Sequence, residues 1–142
     1  MVTCLTIYKN EKTINLTEVK INDIQLNEPF NENDYEINHH IKLDRYKFYN
    51  DKKHKDLTVK VKNKHQTVKG IVLINDHDVT TNFGVKIGDR VDHAINYLGD
   101  NYRKDKVGKG YDAFIYVYKE HHMKLSILYK DNVVKRIEFF SR

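Results

Sequence analysis

The strongest constraint on this chain is that three blocks recur along it in the same order. Ile24-Gln25-Leu26-Asn27-Glu28-Pro29-Phe30 is matched in apolar spacing by Val85-Lys86-Ile87-Gly88-Asp89-Arg90-Val91. Leu57-Thr58-Val59-Lys60-Val61-Lys62-Asn63 is matched by Leu125-Ser126-Ile127-Leu128-Tyr129-Lys130-Asp131. Val68-Lys69-Gly70-Ile71 is matched by Val134-Lys135-Arg136-Ile137. The offset between copies drifts only slightly from block to block, and the drift falls where loops are expected. An α+β fold follows: two tandem copies of a short helix packed on an antiparallel meander. An N-terminal β-hairpin over 1–19 precedes a first copy over 20–78 and a second over 79–142, forming one compact unit.

Local patterns fill in each copy. In the second, Asp89 is the expected N-cap, with Asp92 three residues on. Val91, Ile95 and Leu98 then share one helical face, and Gly99 ends the helix. In the first copy Pro29 suits the first helical position, and a helix through about Ile37 is expected there, weakened by frequent Asn. Strands are expected over 46–50, 57–62 and 68–74, and again over 113–119, 124–130 and 133–140. Leu57, Val59 and Val61 alternate with Thr58, Lys60 and Lys62, as in a sheet wet on one face. Val2 to Tyr8 and Thr13 to Val19 read as the opening hairpin around Lys9-Asn10-Glu11-Lys12. Asn75 to Asn82 reads as the connector between copies.

The chain of 142 residues has 39% apolar and 11% aromatic residues, a single Pro and 6 Gly, which excludes disordered and collagen-like classes. No apolar run reaches the roughly 18 residues a spanning helix needs. Cys4 stands alone, so no intrachain disulfide and no Cys-based zinc site are expected. Its position suggests a lipid-modified residue, but Met1-Val2-Thr3 supplies neither a charged start nor an apolar run before it, and a small residue in a first strand is the better reading. Net charge is +5 with neutral His and rises to +13 if all 8 His are protonated. Binding to an anionic polymer would therefore tighten in acid. The basic clusters at 52–55 and 103–109 read as solvated surface.

Catalytic and metal chemistry find little support. Ser126 falls mid-strand and Ser141 near the tail, neither with a recognisable His and carboxylate. No catalytic residue, metal site or cofactor is expected, and the chain reads as non-enzymatic. His39-His40 and His121-His122 are adjacent pairs, and strand neighbours point to opposite faces. Asn75-Asp76-His77-Asp78 lacks the Gly and terminal Glu of a calcium loop and reads as a polar linker.

Two stretches of the second copy carry a family resemblance. Gly84-Val85-Lys86-Ile87-Gly88-Asp89, followed by Val91 and Tyr97-Leu98-Gly99, resembles the helix entry of small helix-plus-sheet repeats. These occur in the beta-lactamase-inhibitor-protein-like fold and in SmpA-type envelope lipoproteins. Gly110-Tyr111-Asp112-Ala113-Phe114-Ile115-Tyr116 and Val134-Lys135-Arg136-Ile137-Glu138-Phe139 resemble the CAP-associated N-terminal domain of Gram-positive secreted proteins. The likeness covers 84–140 and is faint over 24–74, and Asp100 stands where the pattern has Pro. It implies an extracytoplasmic, secreted or surface-associated accessory role and supplies no catalytic residues.

Strand phase then proposes a binding face. With Leu57, Val59 and Val61 inward, Lys60 and Lys62 point outward. Lys47 and Tyr49 are placed with them, and Tyr46 and Phe48 inside. The same phase puts Ile115, Val117, Leu128 and Phe140 outside in the second copy, beside Ser126, Lys130 and Glu138. An exposed apolar patch of this kind marks an interface. The expected partner is a protein or an anionic wall polymer. The opening hairpin, through Leu5, Ile7, Ile14 and Leu16, is the competing cover for that patch. The alternative is a cytoplasmic nucleic-acid binder using the same Lys and Tyr surface, if Met1 is the natural start. Lys109-Gly110-Tyr111-Asp112 resembles an RNA-recognition strand, but Asp112 occupies the position that motif gives to a small residue, so nucleic acid is the weaker partner.

Overall fold

The computed structural model describes residues 13–142. β1 (Lys20–Ile21) and β2 (Ile24–Gln25) form a small hairpin. Its two turn residues, Asn22 and Asp23, have φ of 53° and 61°, the left-handed geometry of a two-residue hairpin that Asn and Asp tolerate best after Gly. Eight further strands build one antiparallel sheet: β3 (Tyr35–Ile37), β4 (Tyr46–Asp51), β5 (Leu57–Lys62), β6 (Thr67–Ile74), β7 (Arg103–Gly108), β8 (Tyr111–Tyr118), β9 (Met123–Lys130) and β10 (Val133–Ser141). Their spatial order is β3-β4-β5-β6-β10-β9-β8-β7. Two four-stranded meanders thus meet along their last strands, with Leu73 opposite Ile137 and Ile71 opposite Phe139. The single α-helix among the described residues, α1 (Asp92–Leu98), precedes the second meander.

Backbone details recur at the spacings of the sequence blocks. Asn27 N–H donates to Val68 O (2.8 Å), Val68 N–H to Glu28 O (2.9 Å) and Phe30 N–H to Gln66 O (2.8 Å). In the second half Gly88 N–H donates to Val134 O (2.9 Å), Val134 N–H to Asp89 O (2.8 Å) and Val91 N–H to Asn132 O (2.9 Å). Each donor and acceptor is displaced by the offset of the sequence block it belongs to. Positive φ recurs in step, at Asp23 and Gly84, at Asn27 and Gly88, and at His65-Gln66 and Asp131-Asn132. An extra residue bulges from the last strand of each meander at Lys69 and Lys135.

One hydrophobic cluster lies against one face of the sheet. The sheet supplies Leu57, Val59, Ile71, Leu73, Ile127 and Phe139, all fully buried. Leu16, Ile21, Phe83 and Ala94, from the entering segment, the β1–β2 hairpin, the connector and α1, close over them. Tyr116, also fully buried, hydrogen-bonds from its hydroxyl to Gly99 O (2.8 Å), tying the end of α1 to β8. Burial, with Tyr102 and Asp100 nearby, raises its pKa.

Three expectations need correction. The first half has no helix after Pro29. Asn31 Oδ1 instead accepts the N–H of Asn33 (3.1 Å) and Asn38 Oδ1 that of His40 (2.9 Å), local bonds that compete with helical ones. Tyr35–Ile37 there is strand, paired with β4. The N-cap of α1 is Val91 without a side-chain cap bond, because Asp89 Oδ2 accepts from Lys86 N–H (2.9 Å). Asp92 makes an exposed pair with Arg90 (3.2 Å). Thr13 to Val19 is not a strand, and Leu16 and Val19 are core residues. The other half of the expected hairpin, Val2 to Tyr8, lies outside the described residues, as does Cys4. The cluster at 103–109 is solvated surface as expected, and Arg103–Gly108 within it forms an edge strand, β7, whose Arg103, Lys104 and Lys106 discourage further strand pairing. Gly99 does end α1, with φ of 90° and its N–H donated to Ile95 O (2.8 Å).

Candidate binding face

Directly opposed residues of antiparallel strands share a face, so the register assigns every side chain to the core side or to the outer side of the sheet. One outer row runs Thr58, Val72, Glu138, Ser126, Ile115, Arg103 from β5 to β7. The row beside it runs Phe48, Lys60, Gly70, Phe140, Lys124, Val117. A third runs Ile74, Arg136, Leu128, Ala113, Asp105. Val72, Ile74, Val117, Leu128 and Phe140 are half-buried, and none of them packs into the core cluster. Of the competing cover for this patch, Leu16 is a core residue and Ile14 packs against the core, while Leu5 and Ile7 lie outside the described residues.

The expected site residues divide. Lys60, Lys62, Val117, Leu128 and Phe140 lie on the outer face as expected. Tyr49 does not: it opposes Val59, is 6% exposed, and its hydroxyl donates to Glu32 Oε2 (3.1 Å). Burial and the Glu32 carboxylate raise its pKa. Lys47 opposes Val61 on the core side and is exposed at the sheet margin. Their places on the outer face are taken by Tyr46 and Phe48. Pairing with β5 turns both outward, and Lys60 Nζ sits 4.2 Å from the Tyr46 ring centre, a cation–π contact that accommodates this aromatic at the surface. Ile115 is on the outer face but only 7% exposed, like Ser126 beside it, so it cannot serve as an accessible anchor.

Residues that sequence reasoning missed are Tyr46, Phe48, Val72, Ile74, Arg136 and Lys124. The bulges at Lys69 and Lys135 break the two-residue period in β6 and β10, so alternation counted from Val68 or Val134 assigns the wrong face further on. Charges on this face are partly paired, Arg136 with Glu138 at 2.7 Å and Arg103 with Asp105 at 3.2 Å. Gly70 has a packing role: a Cβ there would lie 2.5 Å from Phe140 Cδ1 and Cε1, so the Phe140 ring lies against bare backbone. Beyond Phe140, the end of the face opens into a hollow of about 510 Å³.

The other large concavity, about 780 Å³, lies on the core side of the first half. Its wall holds Asp51, 6% exposed, whose carboxylate accepts from Asn22 Nδ2 (3.1 Å) and from the N–H groups of Lys53 (2.8 Å) and His54 (3.0 Å). Asn22 also donates to the Tyr35 hydroxyl (3.1 Å), and burial pushes Tyr35 up to about 12. These bonds engage Asp51, Asn22 and the Tyr35 hydroxyl with one another and with the β4–β5 turn. Among the described residues no group of three His, Cys, Asp or Glu could hold a metal ion. No described helix is long and apolar enough to cross a membrane.

His54 Nδ1 lies 2.7 Å from Asp76 Oδ2, joining the β4–β5 loop to the connector. Burial alone would raise the Asp76 carboxyl. The Asp78 N–H, the His54 ring and charge, and the Val79 N–H outweigh burial and hold it below the ordinary carboxylate value. A lowered carboxyl stabilises the fold above its ordinary value, and that contribution is lost as pH falls through the lowered one. Asp76→Asn is therefore expected to lower the thermal midpoint by a few degrees at neutral pH and not in strong acid. Scanning calorimetry across pH checks this; an equal loss at both extremes would remove the charge from the explanation.

The fold and face together define a class: an open antiparallel sheet with a core on one side and a mixed apolar and basic surface on the other. No protein-family model, no curated protein and no solved structure matches this chain.

Proposed function

We propose that this chain is a non-enzymatic binding module that engages a protein partner or an anionic cell-wall polymer with its outer sheet face. The observation carrying the proposal is the one-sidedness of the sheet. The described helix, hairpin and connector all contribute to the core side, while Val117, Leu128 and Phe140 sit outside the core cluster with Lys60, Lys62 and Lys124 on the same face. Half-buried apolar groups ringed by cations suit a partner that is itself apolar and acidic. We further propose that the two halves descend from one duplicated meander. The repeated hydrogen bonds, turns and bulges support that reading, with the helix belonging to the second half alone. The resemblance to envelope and secreted repeat modules favours an extracytoplasmic setting.

Capture from a surface extract of the source cells tests the binding reading. Val117→Ala combined with Phe140→Ala is expected to reduce capture at least tenfold while the protein stays folded. Full capture by a folded double variant would end the proposal. The nucleic-acid alternative predicts instead a steep loss of single-stranded oligonucleotide binding with rising salt.

A further inference from the structure

The hollow at the end of the outer face has a chemistry of its own. Its lining includes Val117, Met123 and Phe140, and its basic groups are Lys119, His122, Lys124 and Arg142, with no carboxylate side chain among the described lining residues. The nearest acid in sequence, Glu120, is engaged by the Tyr118 hydroxyl (3.0 Å). His122, Lys124 and Arg142 are exposed, and their side chains make no ion pair among the described residues. Register sets the pattern: Lys124 opposes Val117 on one side and Phe140 on the other. A cation therefore sits between two apolar side chains in a single row across three strands.

We infer that this hollow receives an extended peptide segment of a protein partner in which an acidic residue has apolar ones two positions before and after it. This rests on the outer-face reading above and narrows it. A carboxylate would meet Lys124 while the apolar side chains two residues before and after it, on the same side of the peptide, cover Val117 and Phe140. Strands lie about 4.8 Å apart, so the row spans roughly 10 Å, and same-side residues of an extended peptide recur about every 6.8 Å. Two or three same-side side chains cover that length. A uniformly anionic polymer would satisfy the cations but leave the apolar lining in water, which is why a peptide is favoured over it.

The test uses the full chain and a fluorescein-labelled heptapeptide, Ser-Leu-Ser-Asp-Ser-Phe-Ser, whose Leu, Asp and Phe share one side when extended. Poly-glutamate and the same peptide with Lys at every acidic position are the comparisons. The acidic–apolar peptide is expected to bind with a Kd of about 10–100 μM, poly-glutamate at least tenfold more weakly, and the cationic peptide not detectably. Lys124→Glu, at an exposed position that does not threaten folding, should weaken the acidic–apolar peptide at least tenfold and admit the cationic one. Equal binding of poly-glutamate, no binding of the acidic–apolar peptide, or indifference to Lys124→Glu would overturn the inference. If Lys124→Glu leaves surface-extract capture intact while the Val117 and Phe140 double variant abolishes it, the acidic-peptide inference is eliminated and the face survives. If neither variant alters capture, the face itself is eliminated.

Discussion

Phe139→Ala is expected to remove about 3–5 kcal/mol of folding stability, whereas Phe140→Ala, one residue further along the same strand, removes about 1 kcal/mol. Phe139 is fully buried and opposes Ile71 on β6 and Leu125 on β9, at the seam where the two meanders join. Truncating it leaves a cavity bounded by both halves, which neither can collapse to fill. Domains of this kind hold about 5–15 kcal/mol in total, so the loss threatens the fold as a whole. Phe140 points the other way, half-buried over Gly70, where loss of the ring exposes backbone without opening the core. Urea denaturation of the two variants makes the comparison directly. Similar midpoints would mean that the sheet has no distinct core and outer sides at the seam, and the binding-face argument would fall with them.

Asp51→Ala is expected to cost about 3 kcal/mol, because it strands several hydrogen-bond donors at once. The carboxylate is 6% exposed and accepts three hydrogen bonds, from Asn22 Nδ2 and from two backbone N–H groups in the β4–β5 turn. Each donor left unpaired away from water costs roughly 1–3 kcal/mol, and the neighbouring cavity lets water recover part of that. Asp51→Asn keeps an acceptor oxygen in place and should cost about 1 kcal/mol. The damage should concentrate at the β1–β2 hairpin, since Asn22 holds its turn to the sheet through Asp51. Amide hydrogen exchange should then speed up at Asn22 and Lys53 before the rest of the sheet. A uniform change across all strands would assign Asp51 a global role instead.

The strands of the two meanders were the most legible part of the chain. Leu57 to Lys62 alternates cleanly because one side of β5 faces a core and the other does not, and hydrophobic burial imposes that period locally. Less legible were β3 and β7, which are edge strands. Edges are kept polar to avoid further pairing, so Arg103-Lys104-Asp105-Lys106 carries the signature of solvent rather than of strand. The missing first helix shows the opposite failure: Pro29 permits a helical start, but Asn31 and Asn38 divert the backbone into local turns that a residue-by-residue propensity weighs too lightly.

The candidate face was legible only in part. Lys60, Lys62, Val117 and Leu128 follow from alternation within an uninterrupted strand, and Phe140 from alternation beyond the bulge at Lys135. Tyr49 and Tyr46 exchanged roles because both are large aromatics, and only the pairing of β4 with β5 decides which one meets Val59. Ile115 was placed on its proper side, yet its burial is a property of its surroundings and not of its position in a period.

What the amino-acid order determined by itself is local: alternation, turn chemistry, the stop at Gly99, and the ordered recurrence of three blocks. These depend on contacts within a few residues or on comparison of the chain with itself. What only the tertiary structure decided is which side of the sheet each residue occupies and which distant strand lies beside it. The seam of β6 against β10 and the row Val117, Lys124, Phe140 join residues through pairing register, and two single-residue bulges were enough to shift that register beyond the reach of any local period.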